Sequence, residues 1–94
     1  MLLIRNVFRC KPGCAADLAQ RFKTTIPMME PLKARVMVDL VADYWTVVME
    51  MEVEDMATFE KQFQQRSQQP EMREKMGDYM SLVNGGHREI YRIV

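Results

Sequence analysis

The sequence has few of the residues on which catalytic and metal sites commonly depend. Among its 94 residues are one histidine, His87, and two cysteines, Cys10 and Cys14, which lie on either side of a Pro-Gly turn. Two cysteines at this spacing, without further Cys or His ligands, are neither a disulfide framework nor a zinc site. The sequence also has no Ser-His-Asp spacing and no phosphate-binding glycine loop. We therefore expect no metal and no cofactor.

The sequence also lacks an excess of one charge and a long apolar run. Its 13 basic and 13 acidic residues cancel and are interspersed, which excludes the basic footprint typical of a nucleic-acid-binding protein. Arg5 interrupts the only apolar run at the N-terminus, so that run does not supply the hydrophobic region of a signal peptide. No segment approaches the roughly 20 apolar residues that span a bilayer. We predict a cytoplasmic protein with neither a nucleic-acid nor a membrane partner.

The length of the chain predicts one domain, residues 1–94, and favours self-association. A chain of this size buries only roughly 60–65% of its unfolded surface when it folds. A partner subunit would supply further buried area. We therefore expect a homodimer.

Residues 44–53 form the clearest predicted strand, because apolar residues alternate along it at a period of two. The opposite side is mixed and includes Glu50 and Glu52. A sheet built around this strand has one face for helices to cover and a second, more polar face. The predicted apolar side consists of Trp45, Val47, Met49, Met51 and Val53.

The rest of the chain divides into three further strands and a series of helices. Pro27 should end the first helix, Asp55 should cap the second, and Pro70 should begin a third that Asn84-Gly-Gly86 ends. The predicted ranges are a strand at 2–10, a helix at 14–26, a connector at 28–33 that contains Pro31, a strand at 34–41, helical segments at 56–66 and 70–83, and a strand at 87–94.

This order of elements predicts a ferredoxin-like α+β sandwich with the topology βαββαβ and a four-stranded antiparallel sheet. The gap at 42–43 indicates a hairpin between the second and third strands. The helices should cover one face of the sheet. The other face should carry Arg5 and Arg9 beside Glu50 and Glu52, whose opposite charges can pair across neighbouring strands. Two subunits packed through these faces would form a closed α+β barrel.

The opening residues Ile4-Arg-Asn-Val-Phe-Arg-Cys-Lys-Pro-Gly13, the following Ala-Ala-Asp-Leu-Ala-Gln-Arg-Phe22 and the later Phe59 resemble the dimeric α+β barrel superfamily. The most similar branches are the antibiotic biosynthesis monooxygenase (ABM) and NIPSNAP-like domains. The resemblance covers nearly the whole chain in layout. It implies the fold more strongly than any activity.

One branch of that superfamily, the haem-degrading monooxygenases, carries an Asn on the first strand and a Trp and a His on the second helix. Asn6 matches the first of these residues. Gln62 stands where the Trp would fall, and residues 56–83 contain neither Trp nor His. Without an axial histidine, haem ligation would depend on a methionine. We therefore do not extend haem-oxygenase activity to this chain.

Asn6 and His87 are the candidate catalytic residues. Asn6 lies on the predicted helix-facing side of the first strand, where a buried amide either bonds to a protein group or points into a pocket toward a ligand. His87 follows two glycines and is either a solvated surface residue or the one side chain that titrates near neutrality. Cys14 at a helix start is either a redox thiol or an inert one.

The ten methionines favour a pocket between the sheet and the helices whose walls can adapt to an apolar ligand. Aromatic residues, including Tyr44 and Tyr91, are candidates either for its walls or for an ordinary core. The predicted ligand-binding residues are Asn6, Phe8, Trp45, Met49, Phe63, Met76 and Tyr79.

Three functional hypotheses follow. The first is a homodimer that binds a small apolar or aromatic molecule. The second is a cofactor-independent monooxygenase or isomerase in which Asn6 orients the substrate and His87 or a tyrosine transfers protons. The third is a module that only dimerises. A cavity that reaches Asn6 is expected for the first two and not for the third.

Overall fold

The computed structural model describes residues 1–30 and 32–94, so Pro31 of the predicted connector lies outside the described residues. The described residues contain four strands, three α-helices and two short 3₁₀ turns, Ile26–Met29 and Tyr79–Leu82, which follow the first and third helices. The bounds are β1 Leu2–Cys10, α1 Ala15–Thr25, β2 Lys33–Val38, β3 Thr46–Val53, α2 Met56–Ser67, α3 Pro70–Met76 and β4 Val83–Arg92.

The four strands form one antiparallel sheet in the order β2-β3-β1-β4. The two β-α-β halves are therefore interleaved, with β1 and β3 at the centre. This is the predicted ferredoxin-like α+β arrangement, and the prediction of the fold is confirmed. The register places Asn6 of β1 between Met49 of β3 and Arg88 of β4.

The core lies between the helices and one face of the sheet. Alternate residues of β1 and β3 point toward the helices, as the period of two predicts. Ile4, Leu18 and Val47 are fully buried there, and Phe59 is the only buried side chain that α2 contributes among its described residues. The predicted caps also form, because the Asp55 carboxylate accepts a hydrogen bond of 2.7 Å from the Thr58 N–H and Pro70 begins α3.

The hairpin between β2 and β3 is longer than predicted, because both strands stop short of it. Strand β2 ends at Val38 rather than Val41, and Leu40 and Val41 are almost fully exposed. Asp39 closes the strand pair. Its N–H donates to the Thr46 carbonyl at 3.1 Å and its carboxylate accepts from the Thr46 N–H at 2.8 Å.

Tyr44 and Trp45 belong to this hairpin and not to the predicted strand. Their φ angles are 55° and 50°, in the left-handed region that bulky side chains rarely adopt. The Trp45 carbonyl nevertheless accepts a 2.8 Å hydrogen bond from the Cys10 N–H, which ties the turn to β1. Apolar residues alternate both in this turn and in the strand that follows it. The pattern therefore does not distinguish the two, and the predicted boundary was wrong.

The predicted helix at 70–83 is also shorter in the structure. Helix α3 ends at Met76, and the next residue, Gly77, has a φ of 54°. The Gly77 N–H donates a hydrogen bond of 2.8 Å to the Arg73 carbonyl, which closes the last turn of the helix. Residues 84–86, predicted to be the helix stop, instead lie within β4. At Gly86 the strands approach so closely that a Cβ would lie 2.1 Å from the Val7 carbonyl oxygen. Gly86 is therefore required by a close approach between β1 and β4, and these glycines do not end a helix.

Candidate functional site

A cavity of about 610 Å³ lies between the helix-facing side of the sheet and the helices. Its walls are mostly apolar and include all four phenylalanines of the chain and six of its methionines. The phenylalanines are Phe8, Phe22, Phe59 and Phe63, and the methionines are Met29, Met49, Met51, Met72, Met76 and Met80.

Asn6 and Arg88 form a polar pair in the wall of this cavity, on the adjacent strands β1 and β4. The Arg88 Nε–H donates to the Asn6 Oδ1 at 2.5 Å. The Arg88 guanidinium carbon also lies 5.5 Å from the centre of the Phe59 ring and 5.6 Å from that of the Phe63 ring. The two rings of α2 therefore hold the cation over their faces, within the range of cation–π attraction.

Two further arginines line the cavity from the helices. Arg66 donates to the carbonyls of Met28 and Met29 at 3.3 and 3.4 Å, and Arg73 donates to the Ser67 carbonyl at 3.3 Å. Burial lowers the pKa of the Arg66 guanidinium. Among the described residues that line the cavity, none is an aspartate or a glutamate. The cavity therefore has apolar walls and a net positive charge.

Six of the predicted ligand-binding residues meet in this cavity, and one does not. The exception is Trp45, which is about half exposed in the hairpin and does not line the cavity. Its left-handed backbone takes it off the apolar face of β3, as described above. The residues that the structure brings together are Asn6, Phe8, Met49, Phe63, Met76 and Tyr79.

His87 lies on the opposite face of the sheet from Asn6, because it neighbours Arg88 on a strand whose side chains alternate. The structure therefore does not bring the two candidate catalytic residues together. His87 Nε2 lies 2.6 Å from a Glu89 carboxylate oxygen, and the Tyr91 hydroxyl donates to the other at 2.8 Å. Hydrogen bonds from His87 and Tyr91 lower the pKa of Glu89, and the bond to Glu89 raises the pKa of Tyr91.

Glu50 is the centre of the predicted charge cluster on this second face. Only 6% of the residue is exposed. Its carboxylate accepts from Arg35 at 2.6 and 2.8 Å, and Arg5 Nε lies 3.0 Å away, close enough for an ion pair although its angle is poor for a hydrogen bond. The predicted pairing of opposite charges across strands is confirmed for Arg5 and Glu50, whereas Arg9 and Glu52 form no ion pair among the described residues.

The cysteines remain separate thiols. Cys10 is buried and Cys14 is half-buried at the start of α1. Burial, and then the neighbouring Cys14 and Asp39, raise the pKa of the Cys10 thiol, which makes the reactive thiolate scarcer. Within residues 1–30 and 32–94, no group of His, Cys, Asp or Glu side chains is arranged to hold a metal ion.

Arg88, Arg66 and Arg73 are the site residues that the sequence did not indicate. The sequence pattern could have indicated Arg88, because it lies with Ile90 and Arg92 on the helix-facing side of the last predicted strand. An arginine on a face expected to be apolar requires a partner, as Asn6 does. Arg66 lies on α2 and Arg73 on α3. The predicted apolar faces of these helices did not include either residue.

The fold is shared with solved structures of NIPSNAP and antibiotic biosynthesis monooxygenase proteins. A NIPSNAP domain protein from Burkholderia xenovorans aligns over 100% of this chain and 95% of its own, with a TM-score of 0.84 and 10% identity. A NIPSNAP-like domain protein from the same organism aligns over 99% and 84%, with a TM-score of 0.82 and 17% identity. A protein from Chloroflexus aurantiacus, provisionally assigned as an antibiotic biosynthesis monooxygenase, aligns over 99% and 92%, with a TM-score of 0.76 and 12% identity.

At these identities the similarity confirms the predicted resemblance as one of fold. No protein-family model and no curated protein matches the sequence. In the part of the chain that the structure describes, no helix is long and apolar enough to cross a membrane.

Proposed function

We propose that residues 1–94 form one domain of a cytoplasmic homodimer that binds a small apolar or aromatic molecule in the cavity between sheet and helices. The observation that carries this proposal is the cavity of about 610 Å³ that reaches Asn6. Pockets for small molecules typically measure roughly 300–1,000 Å³ and combine apolar walls with a few polar groups. This cavity has that size and that composition.

The cavity argues against a domain that only dimerises. The cavity opens to solvent, and two of its large apolar lining residues, Phe63 and Met80, are 49% and 62% exposed. An exposed apolar groove with polar groups beside it is typical of a ligand-binding surface. Methionine side chains have several rotatable bonds, so these walls can adapt to an apolar guest.

Thermal unfolding with a panel of small apolar and aromatic compounds tests the proposal. A ligand at about 100 times its Kd raises stability by about 2.7 kcal/mol, a shift of roughly 10–15 °C for a domain of this size. Met72→Trp should abolish the shift, because an indole would occupy the cavity that Met72 lines. Met56→Trp makes the same change at a partly exposed position of α2 outside the lining and should leave the shift intact.

Two results would count against binding in the cavity. One is a panel in which no compound raises the unfolding temperature of the wild-type protein. The other is an equal shift in Met72→Trp and Met56→Trp, because a ligand that ignores the filled cavity binds elsewhere.

A cofactor-independent monooxygenase or isomerase is the second candidate, and one observation favours it. Asn6 and Tyr79 line the same cavity, so an amide that orients a substrate and a phenol that transfers a proton are both present. His87 lies on the other face of the sheet, so in this proposal Tyr79 rather than His87 transfers the proton. Conversion of a compound that binds, with oxygen consumption for a monooxygenase and without it for an isomerase, would support the enzyme over the binding protein if Tyr79→Phe loses it while binding is retained.

A further inference from the structure

We infer that the ligand of this cavity is an apolar molecule that carries a carboxylate, and that Arg88 and Asn6 bind this group. The inference rests on the proposed function, because it specifies the chemistry of the molecule that the cavity binds. Four features of the site support it: the hydrogen-bonding capacity of the Asn6–Arg88 pair, the charge of the lining, the fixed position of the Arg88 guanidinium and the apolar walls.

The Asn6–Arg88 pair leaves donors without acceptors. A guanidinium carries only donors, so the Asn6 atom that Arg88 contacts must be the amide oxygen. This bond uses one of the two lone pairs of the Asn6 oxygen and leaves its NH₂ group with two donors. Together with the other N–H groups of Arg88, the donors of the pair outnumber its one remaining acceptor site. A group that only accepts hydrogen bonds complements them, and an ionised carboxylate is such a group.

The charges around the cavity favour an anion in the same place. Arg66 and Arg73 direct their Nε–H groups to backbone carbonyls, as described above. Arg88 instead contacts a neutral amide, and no carboxylate of the described residues forms an ion pair with it. Arg88 is exposed, so water solvates its charge in the free protein. A ligand that covers Arg88 displaces this water, and a carboxylate on the ligand would supply a counter-charge in its place.

The position of the Arg88 guanidinium is also fixed before any ligand binds. The rings of Phe59 and Phe63 lie within 5.6 Å of it, and Asn6 holds its Nε. A planar guanidinium held in this way matches the two oxygens of a carboxylate. Less conformational freedom is lost on binding when the recognising group is already in place.

The apolar walls determine the rest of the ligand. Apart from the arginines, the lining is dominated by phenylalanine and methionine side chains. These accommodate an aromatic or branched hydrocarbon body and offer little to a sugar or a nucleotide. The chemistry of the site therefore matches an aromatic monocarboxylic acid.

Isothermal titration with naphthoate and naphthamide tests the inference, because the two probes share a body and differ in the charged group. The wild-type protein should bind naphthoate at least about tenfold more tightly than naphthamide. Asn6→Asp should remove this preference, since the new carboxylate pairs with Arg88 and repels the acid. Asn84→Asp makes the same change at an exposed β4 residue outside the cavity lining and should preserve the preference.

Arg88→Lys is a second variant that keeps the positive charge and loses the planar fork. It should weaken naphthoate binding several-fold and leave naphthamide binding unchanged. The inference is overturned if naphthamide binds as tightly as naphthoate, or if the preference survives in Asn6→Asp. Binding of neither probe also overturns it. Whether the proposed function then fails too is read separately, from the apolar panel with Met72→Trp and Met56→Trp.

Discussion

At the scale of single residues, Asn6 belongs both to the folded sheet and to the wall of the cavity, so it can contribute to stability and to ligand binding. It is half-buried, and its only side-chain bond in the described structure is to Arg88, which is exposed. Removing a hydrogen bond is costly when the remaining partner is left buried and unpaired. Arg88 can instead regain solvent. The amide should therefore contribute more to binding than to folding.

Asn6→Ala should lower the free energy of unfolding by less than about 1 kcal/mol and weaken ligand binding. Leu18→Ala is the matched control for folding, because Leu18 is fully buried and its truncation should cost about 2–5 kcal/mol. Chemical denaturation of both variants measures these losses. A loss for Asn6→Ala comparable to that of Leu18→Ala, without any effect on binding, would assign Asn6 to the core and remove it from the site.

The two adjacent glycines of β4 should differ sharply in their response to an added methyl group. A Cβ at position 86 would lie 2.1 Å from the Val7 carbonyl oxygen, and the backbone of β1 cannot move away. At position 85 the nearest atom, at 3.0 Å, is the end of the flexible Arg9 side chain. Gly86→Ala should therefore lose about 3 kcal/mol of stability, whereas Gly85→Ala should stay close to the wild type in urea denaturation. Equal losses would show that the close approach of β1 and β4 is not required.

At the scale of elements, Arg21 connects α1 to the end of α3. Its guanidinium donates to the Met76 carbonyl and to the Asp78 carboxylate, both at 2.8 Å, and to Asp17 one turn away. The hydrogen bond from Arg21 is the main reason that the pKa of Asp78 lies below its ordinary value of 3.8. A carboxyl whose pKa is lowered by folding stabilises the folded state above its unfolded pKa, and this contribution is lost as the pH falls through the folded pKa.

Asp78→Asn should therefore be less stable than the wild type at neutral pH, and the difference should shrink as the pH falls below about 3.8. Urea denaturation at a series of pH values measures this convergence. Glu60→Gln is the control, because Glu60 is an exposed α2 carboxylate without an ion pair among the described residues. A difference between Asp78→Asn and the wild type that stays constant with pH would mean that Asp78 is not linked to stability through ionisation.

The order and type of the elements could be predicted from the sequence because each signal is local. The period of two in apolar residues predicted the strands. Asp55 and Pro70 predicted the starts of α2 and α3. The wrong boundaries, at the β2–β3 hairpin and between α3 and β4, have a different origin. The left-handed turn at Tyr44 and the approach of Gly86 to Val7 depend on contacts between distant segments. A pattern within one segment contains no information about them.

The same distinction explains how much of the site was predictable. The cavity walls followed from the apolar faces of the elements, so six of the seven predicted ligand-binding residues lie there. Trp45 was misplaced by the hairpin boundary. The partner of Asn6 depends on the register between β1 and β4, since Asn6 and Arg88 are separated by 82 positions in sequence. Register is set by the packed sheet rather than by either strand alone.

At the scale of the whole molecule, the sheet has two unlike faces. One packs on the helices and forms a wall of the cavity, and none of the described helices covers the other. The uncovered face carries the Glu50 cluster together with apolar side chains such as Val7 and Val48, which are half-buried. Beside it, Leu40 and Val41 of the hairpin are almost fully exposed. Apolar surface of this kind is typical of a surface that meets another protein.

We expect this uncovered face to be buried between two copies of the chain, with Arg5, Arg9, Glu50 and Glu52 at the interface. Sedimentation at micromolar concentrations should then give a dimer. Val48→Arg should shift it toward monomer, because an extra cation would be buried without a partner. Gln20→Arg makes a comparable change at an exposed position of α1 and should leave the dimer intact. A well-folded wild-type monomer would contradict the expectation, and equal dissociation of both variants would place the contact elsewhere. Because the cavity lies on the other side of the sheet, Val48→Arg should also retain ligand binding if its subunits remain folded.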